Sequence, residues 1–137
     1  MNVYPNSASL VLAGYIRTAL AASKLRLFKA ISQPLSVSTI LANFVEADYD
    51  GYVEKTIATW LPAYLDPVGG ASFQSGTQQF DYVAGPGPEI PNTILGFYIL
   101  NGTGALVAAG TFTAPVAMAA TGDSIPLNVT LNWARTI

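Results

Sequence analysis

Residues 93–112 read TILGFYILNGTGALVAAGTF. Two apolar runs, 93–100 and 105–112, rich in β-branched and aromatic residues at their ends, flank Asn101-Gly102-Thr103-Gly104. Asn-Gly between two strand-like runs is a strong hairpin signal, because a type I′ turn needs φ > 0 at both central positions. The first run is apolar on both faces, which predicts a strand covered on two sides, by a second sheet or by a neighbouring subunit. Downstream, IPLNVTLNW (125–133) alternates without a break. Ile125, Leu127, Val129, Leu131 and Trp133 fall on one face, and Pro126, Asn128, Thr130 and Asn132 on the other. That is the period of a half-buried strand. Pro126 lacks a ladder donor, which predicts an edge strand or a strand start.

Working back towards the N-terminus, the Pro- and Gly-rich stretch 85–91 (GPGPEIP) reads as a loop joining two halves of the domain. FDYVA (80–84) reads as a short strand. A run with Gly69, Gly70, Gly76 and three glutamines reads as the link leading into it. Residues 53–60 are β-branched and aromatic and predict a strand ending before Pro62. A short helix is expected at 39–44, with Ser36 or Ser38 as its cap. KLRLF (24–28) alternates basic and apolar residues and predicts a strand with a basic outer face. Residues 7–22 are rich in Ala and Leu, capped by Asn6 or Ser7, and apolar around the whole circumference; such a helix must be covered on all sides. Short strands between turn signals, with one or two helices, predict a mainly β chain folded as an antiparallel β-sandwich or jelly roll. The expected division is an N-terminal arm or helix, 1–22, and a sandwich domain, 23–137.

The composition bears on how such a domain meets water. Of 137 residues, 10% are charged and 51% hydrophobic, where an ordinary soluble domain carries about 25% charge. Monomers keep exposed apolar patches small and rely on mixed charge for solubility, so this surface predicts self-association or burial against other subunits. The net charge of −2 argues against a nucleic-acid partner, since phosphate binding takes Lys and Arg in number. Arg17, Lys24, Arg26 and Lys29 cluster, but as solvated faces. The apolar run 7–16 is interrupted by Arg17, has no basic residue before it and is too short to span a bilayer, so no membrane association is expected. It reads instead as a retained arm docked on a partner.

Chemistry is ruled out more readily than in. There is no Cys and no His, which removes disulfides, Ser-His-Asp and Cys-His nucleophiles and the usual zinc sites. No phosphate-binding glycine loop occurs, and the prolines in 85–91 remove the N–H groups such a loop would use. In EADYDGY (46–52), Glu46, Asp48, Asp50 and Gly51 imitate the start of a calcium loop, but the first ligand is Glu and the twelfth position is Ile57 in place of a bidentate Glu. A polar turn carrying solvated acids is the expectation there. Neither a metal nor another cofactor is expected. A carboxylate pair for hydrolysis is possible by residue type only, with Asp48 and Asp50 the residues to test. Asn101-Gly-Thr103 and Asn128-Val-Thr130 fit the glycosylation pattern, which is short enough to arise by chance. Tyr49, Tyr52, Trp60, Tyr64, Tyr82 and Tyr98 would serve as core or interface anchors, or as a sugar-stacking platform.

The segment KLRLFKAISQPLSVSTILANFVEADYDGY, with the later NTILGFYIL and TFTAPVAMAATGDSI, resembles small structural proteins of tailed-bacteriophage virions over about residues 23–133. The resemblance implies a non-enzymatic capsid cement or decoration protein. Its partners would be the major capsid protein and its own copies, as a homotrimer on the capsid exterior, assembled in the bacterial host cytoplasm. A receptor- or carbohydrate-binding sandwich of the tail or baseplate is the alternative. The residues expected to face partners are Val3, Tyr4, Leu10, Leu12, Tyr15, Ile16 and Arg17 of the arm, together with Tyr49 and Tyr52 as anchors.

Overall fold

A computed structural model describes residues 6–65 and 70–133. The chain is mainly β, with two antiparallel sheets facing each other and one α-helix, a β-sandwich-like fold. The first sheet is built on β1 (Ser23–Ile31), which pairs along one edge with β2 (Phe44–Glu46) and β3 (Lys55–Ile57), and along the other with β6 (Asn92–Leu100); β7 (Leu106–Met118) pairs β6 on the outside. In the second sheet β5 (Ala71–Asp81) lies between β4 (Tyr64–Leu65) and β8 (Ser124–Trp133). Between the sheets Leu25, Leu27, Ile94 and Ile99 meet Phe73, Phe80, Ile125 and Val129 in one buried cluster.

The 93–112 hairpin is present, but its turn is of another kind. The left-handed residue is Gly104 (φ +89°), and its N–H donates to Asn101 O at 3.0 Å. Asn101 stays at negative φ while its Oδ1 accepts from Thr103 N, Thr103 Oγ1 and Ala105 N at 2.8–3.0 Å. A three-residue loop ending in a left-handed glycine satisfies the strand twist as well as type I′ does. The two-faced strand β6 is covered on both sides by its own chain. Ile94 and Ile99 face the other sheet, while Tyr98 and Leu100 join Phe28 in a second buried cluster on the outer face. Phe44 stacks on Tyr98 there, ring centres 4.6 Å apart. Pro126 sits, as expected, on an edge strand, paired only towards Gln79 of β5.

Three expectations are corrected. The segment read as a link before residue 80 is the greater part of β5. Its ladder shifts register between Gln74 and Thr77, where Gly76 adopts φ +72° and Ser75 Oγ accepts from Val129 N at 3.0 Å; this is a β-bulge with a glycine at its corner. The helix expected at 39–44 is a single 3₁₀ turn, Leu41–Asn43. Asn43 Oδ1 takes the N–H of Ile40 at 2.8 Å, a local bond that ends a run too short to nucleate a helix. The strand expected at 53–60 is confined to Lys55–Ile57.

The N-terminal helix α1, Asn6–Ala19, packs on β5 and β4. Leu10, Ala13 and Ile16, with Leu20 just beyond it, turn towards the core at helical spacing. Its end is tied down by Trp60, whose Nε1 donates to Leu20 O at 3.1 Å, and by Arg17, whose Nη1 donates to Trp60 O at 2.8 Å. The opposite face stays bare.

Candidate assembly surface

The acidic turn 46–52 is where a catalytic or metal site would have to be built, and its carboxylates are committed elsewhere. Glu46 accepts from Arg26 at 3.2 Å and from the Tyr52 hydroxyl at 3.0 Å. Asp48 accepts from Lys29 at 2.6 Å and from Asn92 Nδ2 at 2.9 Å; these two hydrogen bonds hold its pKa below the usual carboxylate range. Asp50 Oδ2 accepts from the Tyr82 hydroxyl at 3.2 Å and from Ile90 N at 3.1 Å, and its backbone O takes Val83 N at 3.0 Å. Asp50 thereby pins both ends of the Pro-Gly loop. Gly51 (φ +85°) is pressed against that loop, since a Cβ there would lie 2.9 Å from Val83. The expected polar turn is present, with the Asp48 side chain still 60% exposed, and its acids are in addition hydrogen-bonded within the fold. Among the described residues no group of three or more Asp, Glu, His or Cys gathers to hold a metal.

The basic face expected on β1 is neutralised in the same way. Arg26 bridges Glu54 (2.6 Å) and Glu46, and Lys24 lies 3.7 Å from Glu54. Partial burial alone would lower the Arg26 pKa, but hydrogen bonds with Glu54 and Tyr98 and the charge of Glu46 outweigh it and raise it. Lys55 sits over the Phe80 ring, 5.5 Å from its centre. All five described basic side chains are thus engaged within the fold.

The tyrosines are mostly interior. Tyr49 is 2% exposed, packed against Tyr52 and Tyr82, so it offers a partner no surface. Burial, with Asp81 nearby, pushes its pKa up to about 12. Tyr52 is half-buried; its ring stacks near Phe80 and its hydroxyl accepts from Leu27 N at 3.2 Å, and burial raises its pKa. Trp60, Tyr82 and Tyr98 are buried, which leaves Tyr64 as the exposed member of the six aromatics considered for sugar stacking. Of the arm residues, Leu10 and Ile16 pack inward and Arg17 is spent on Trp60. Leu12 and Tyr15 are exposed. Val3 and Tyr4 lie outside the described residues.

Large apolar side chains also remain outside. Val11, Leu12 and Tyr15 line the bare side of α1, and Leu61, Tyr64 and Leu65 are exposed on and just before β4 beside it. A second group, Val37, Ile40 and Leu41, projects from the segment between β1 and β2, whose exposed polar side chains bond one another and the backbone. There Asn43 Nδ2 donates to Ser32 Oγ and Ser36 N donates to Thr39 Oγ1, both at 2.9 Å. This second group carries no recognisable motif. Its signal is the absence of any charged residue from 30 to 45, and again from 90 to 122. None of the family models, curated proteins or solved structures compared with the chain matches it. Among the described residues no helix is long and apolar enough to cross a membrane.

Proposed function

We propose that this chain is a non-enzymatic structural subunit of a phage virion, a capsid cement or decoration protein that binds the major capsid protein and its own copies on the outside of the head. One observation carries the reading: large apolar side chains stand exposed on helices, strands and turns while the described basic groups are paired within the chain. Covering such a surface releases hydrophobic free energy in proportion to its area. A shell under internal pressure would have to expose it again before opening, which is how binding to the closed state stabilises that state. A trimer at a local threefold position suits a subunit that must touch several shell subunits at once. The acidic turn supports the non-enzymatic part, since each of its carboxylates already holds a structural partner.

The test is a reconstruction of particles assembled with and without the chain, paired with a variant lacking residues 1–22. Density for the chain on the outer shell, reduced in that variant, supports the proposal. Density at the tail tip or baseplate, together with glycan binding in a screen, would replace it with the receptor-binding alternative.

A further inference from the structure

We infer that the tip of the β6–β7 hairpin is a self-modifying site, at which the Asn101 side chain loses its amide as ammonia through attack by the backbone nitrogen of Gly102. Asn101 alone among the asparagines precedes a glycine. A glycine has no Cβ to shield its own nitrogen and reaches the backbone torsions that closing a five-membered ring on that nitrogen demands. Gly102, Thr103 and Gly104 are exposed, and a Cβ on Gly102 would meet only Ala21 O, at 3.6 Å, so the N–H is open to solvent.

The atoms that react are held in different ways. Oδ1 of Asn101, where negative charge collects as Cγ becomes tetrahedral, accepts from Thr103 N (3.0 Å), Thr103 Oγ1 (2.8 Å) and Ala105 N (2.9 Å). Donors already placed at this distance from a developing oxyanion lower the barrier to acyl transfer. The nucleophile, Gly102 N, and the departing Nδ2 make no hydrogen bond among the described residues. The carbonyl oxygen is thus fixed while the attacking and leaving nitrogens are free. Asp50-Gly51, the other acidic or amide residue before a glycine among the described residues, lacks this freedom. Asp50 Oδ2 is held by the Tyr82 hydroxyl and Ile90 N, and Gly51 is pressed against Val83.

The step balances with water alone. Gly102 N gives its proton to hydroxide and bonds to Cγ, the Cγ–Nδ2 bond breaks, and ammonia leaves with a proton from water. Water then opens the cyclic imide, at Cγ to give an aspartate at position 101, or at the backbone carbonyl carbon to give its β-linked isomer. The first product keeps the turn, because a carboxylate accepts from the same three donors more strongly than an amide does. The second lengthens the main chain by a methylene and disturbs the bonds that close the turn, Gly104 N to Asn101 O (3.0 Å) and Asn101 N to Ala105 O (2.8 Å). The folded chain should therefore yield a larger share of the first product than the unfolded chain. Either product puts a carboxylate into residues 90–122, where the sequence has no charged side chain.

The test is to age the full chain in mildly alkaline buffer, folded and in urea, and to follow each asparagine by peptide mass spectrometry. In the folded chain, conversion is expected at Asn101 ahead of every other asparagine. Thr103→Val removes one donor to Oδ1 while keeping the shape of the side chain. It should slow conversion about tenfold, less than the roughly hundredfold such a donor is worth in a water-excluded site, and Thr103→Ser should restore the rate. Both variants should keep the urea transition of the unaltered chain, since Thr103 is exposed. No conversion at Asn101 in the folded chain, or conversion confined to urea, overturns the site. A Thr103→Val rate equal to that of the unaltered chain overturns the role given to the donors.

Discussion

The bare side of α1 gives the most direct measure of how much this surface matters. Replacing Val11, Leu12 and Tyr15 with Gln keeps helix propensity high and removes the apolar face. Tyr15 is 72% exposed; with roughly 200 Å² for a tyrosine at about 25 cal/mol per Å², covering it is worth about 3–4 kcal/mol. Val11 and Leu12, each about half exposed, add about 1 kcal/mol apiece. Part of this gross sum of about 5–6 kcal/mol is cancelled by lost freedom on association. About half surviving corresponds to a hundredfold change in the association constant. Because these side chains point away from the core residues Leu10, Ala13 and Ile16, the monomer's own stability should move by less than about 0.5 kcal/mol. Sedimentation velocity across a concentration series, with urea unfolding followed by tryptophan fluorescence, reads the two quantities separately. Association within threefold of the unaltered chain would refute the claim that this face is covered in the assembly. A large loss of monomer stability would refute the packing assigned to α1.

The remaining predictions concern the fold that presents the surface. Asp50→Ala leaves the Tyr82 hydroxyl and Ile90 N without their shared acceptor and should destabilise by about 2 kcal/mol, with faster proteolysis in the 84–91 loop; stability within error of the unaltered chain would return that turn to a solvated one. Gly96→Ala should prevent folding or cost several kcal/mol, because a Cβ there would lie 2.1 Å from Gly110 O and 2.8 Å from the Phe28 ring; a normal melting transition would show the strands are not so close. Tyr49→Phe should stabilise by about 1 kcal/mol at neutral pH, since the Tyr49 hydroxyl is buried without a partner among the described residues. With pH the sign is set by the raised pKa: Tyr49 must stay neutral in the fold, so its contribution is complete below about pH 10 and is lost as pH rises towards about 12. Tyr49→Phe should flatten that alkaline decline, and an unaltered slope would mean the phenol is not buried.

The regular strands were legible because their alternation survives intact. β8 keeps period two from Ile125 onward, and β1 alternates Lys24 and Arg26 with Leu25 and Leu27. β5 was hidden by its own bulge. Phe73 and Phe80 both face the core although seven residues apart, an odd spacing that reads as opposite faces until the extra residue near Ser75 and Gly76 is counted. Similarly, Ile94 and Ile99 of β6 share the inner face across an odd spacing, after a register shift between Ile94 and Gly96. Composition disclosed that some surface had to be covered but not which. Tyr49 and Tyr15 are the same residue type at opposite extremes of exposure, and only the packing of the 46–52 turn against Tyr82 separates them.

That separation explains how a chain with so few charges holds an apolar exterior in place. An exposed valine or isoleucine does nothing to keep a loop ordered, so the order must come from groups that would otherwise face water. Here the segment between β1 and β2 is set by Ser32, Ser36, Thr39 and Asn43, and the Pro-Gly loop by Asp50. On the outer face of the larger sheet, Arg26 gathers Glu46 and Glu54. Each such bond fixes the local backbone at the surface and leaves the neighbouring apolar side chain displayed in a set geometry. Surface ion pairs of this kind contribute little to stability on average, so their effect here lies in positioning. A solitary soluble domain gains nothing from holding apolar side chains out in a set geometry, whereas a subunit whose exterior becomes interior on assembly gains a preformed contact at little entropic cost.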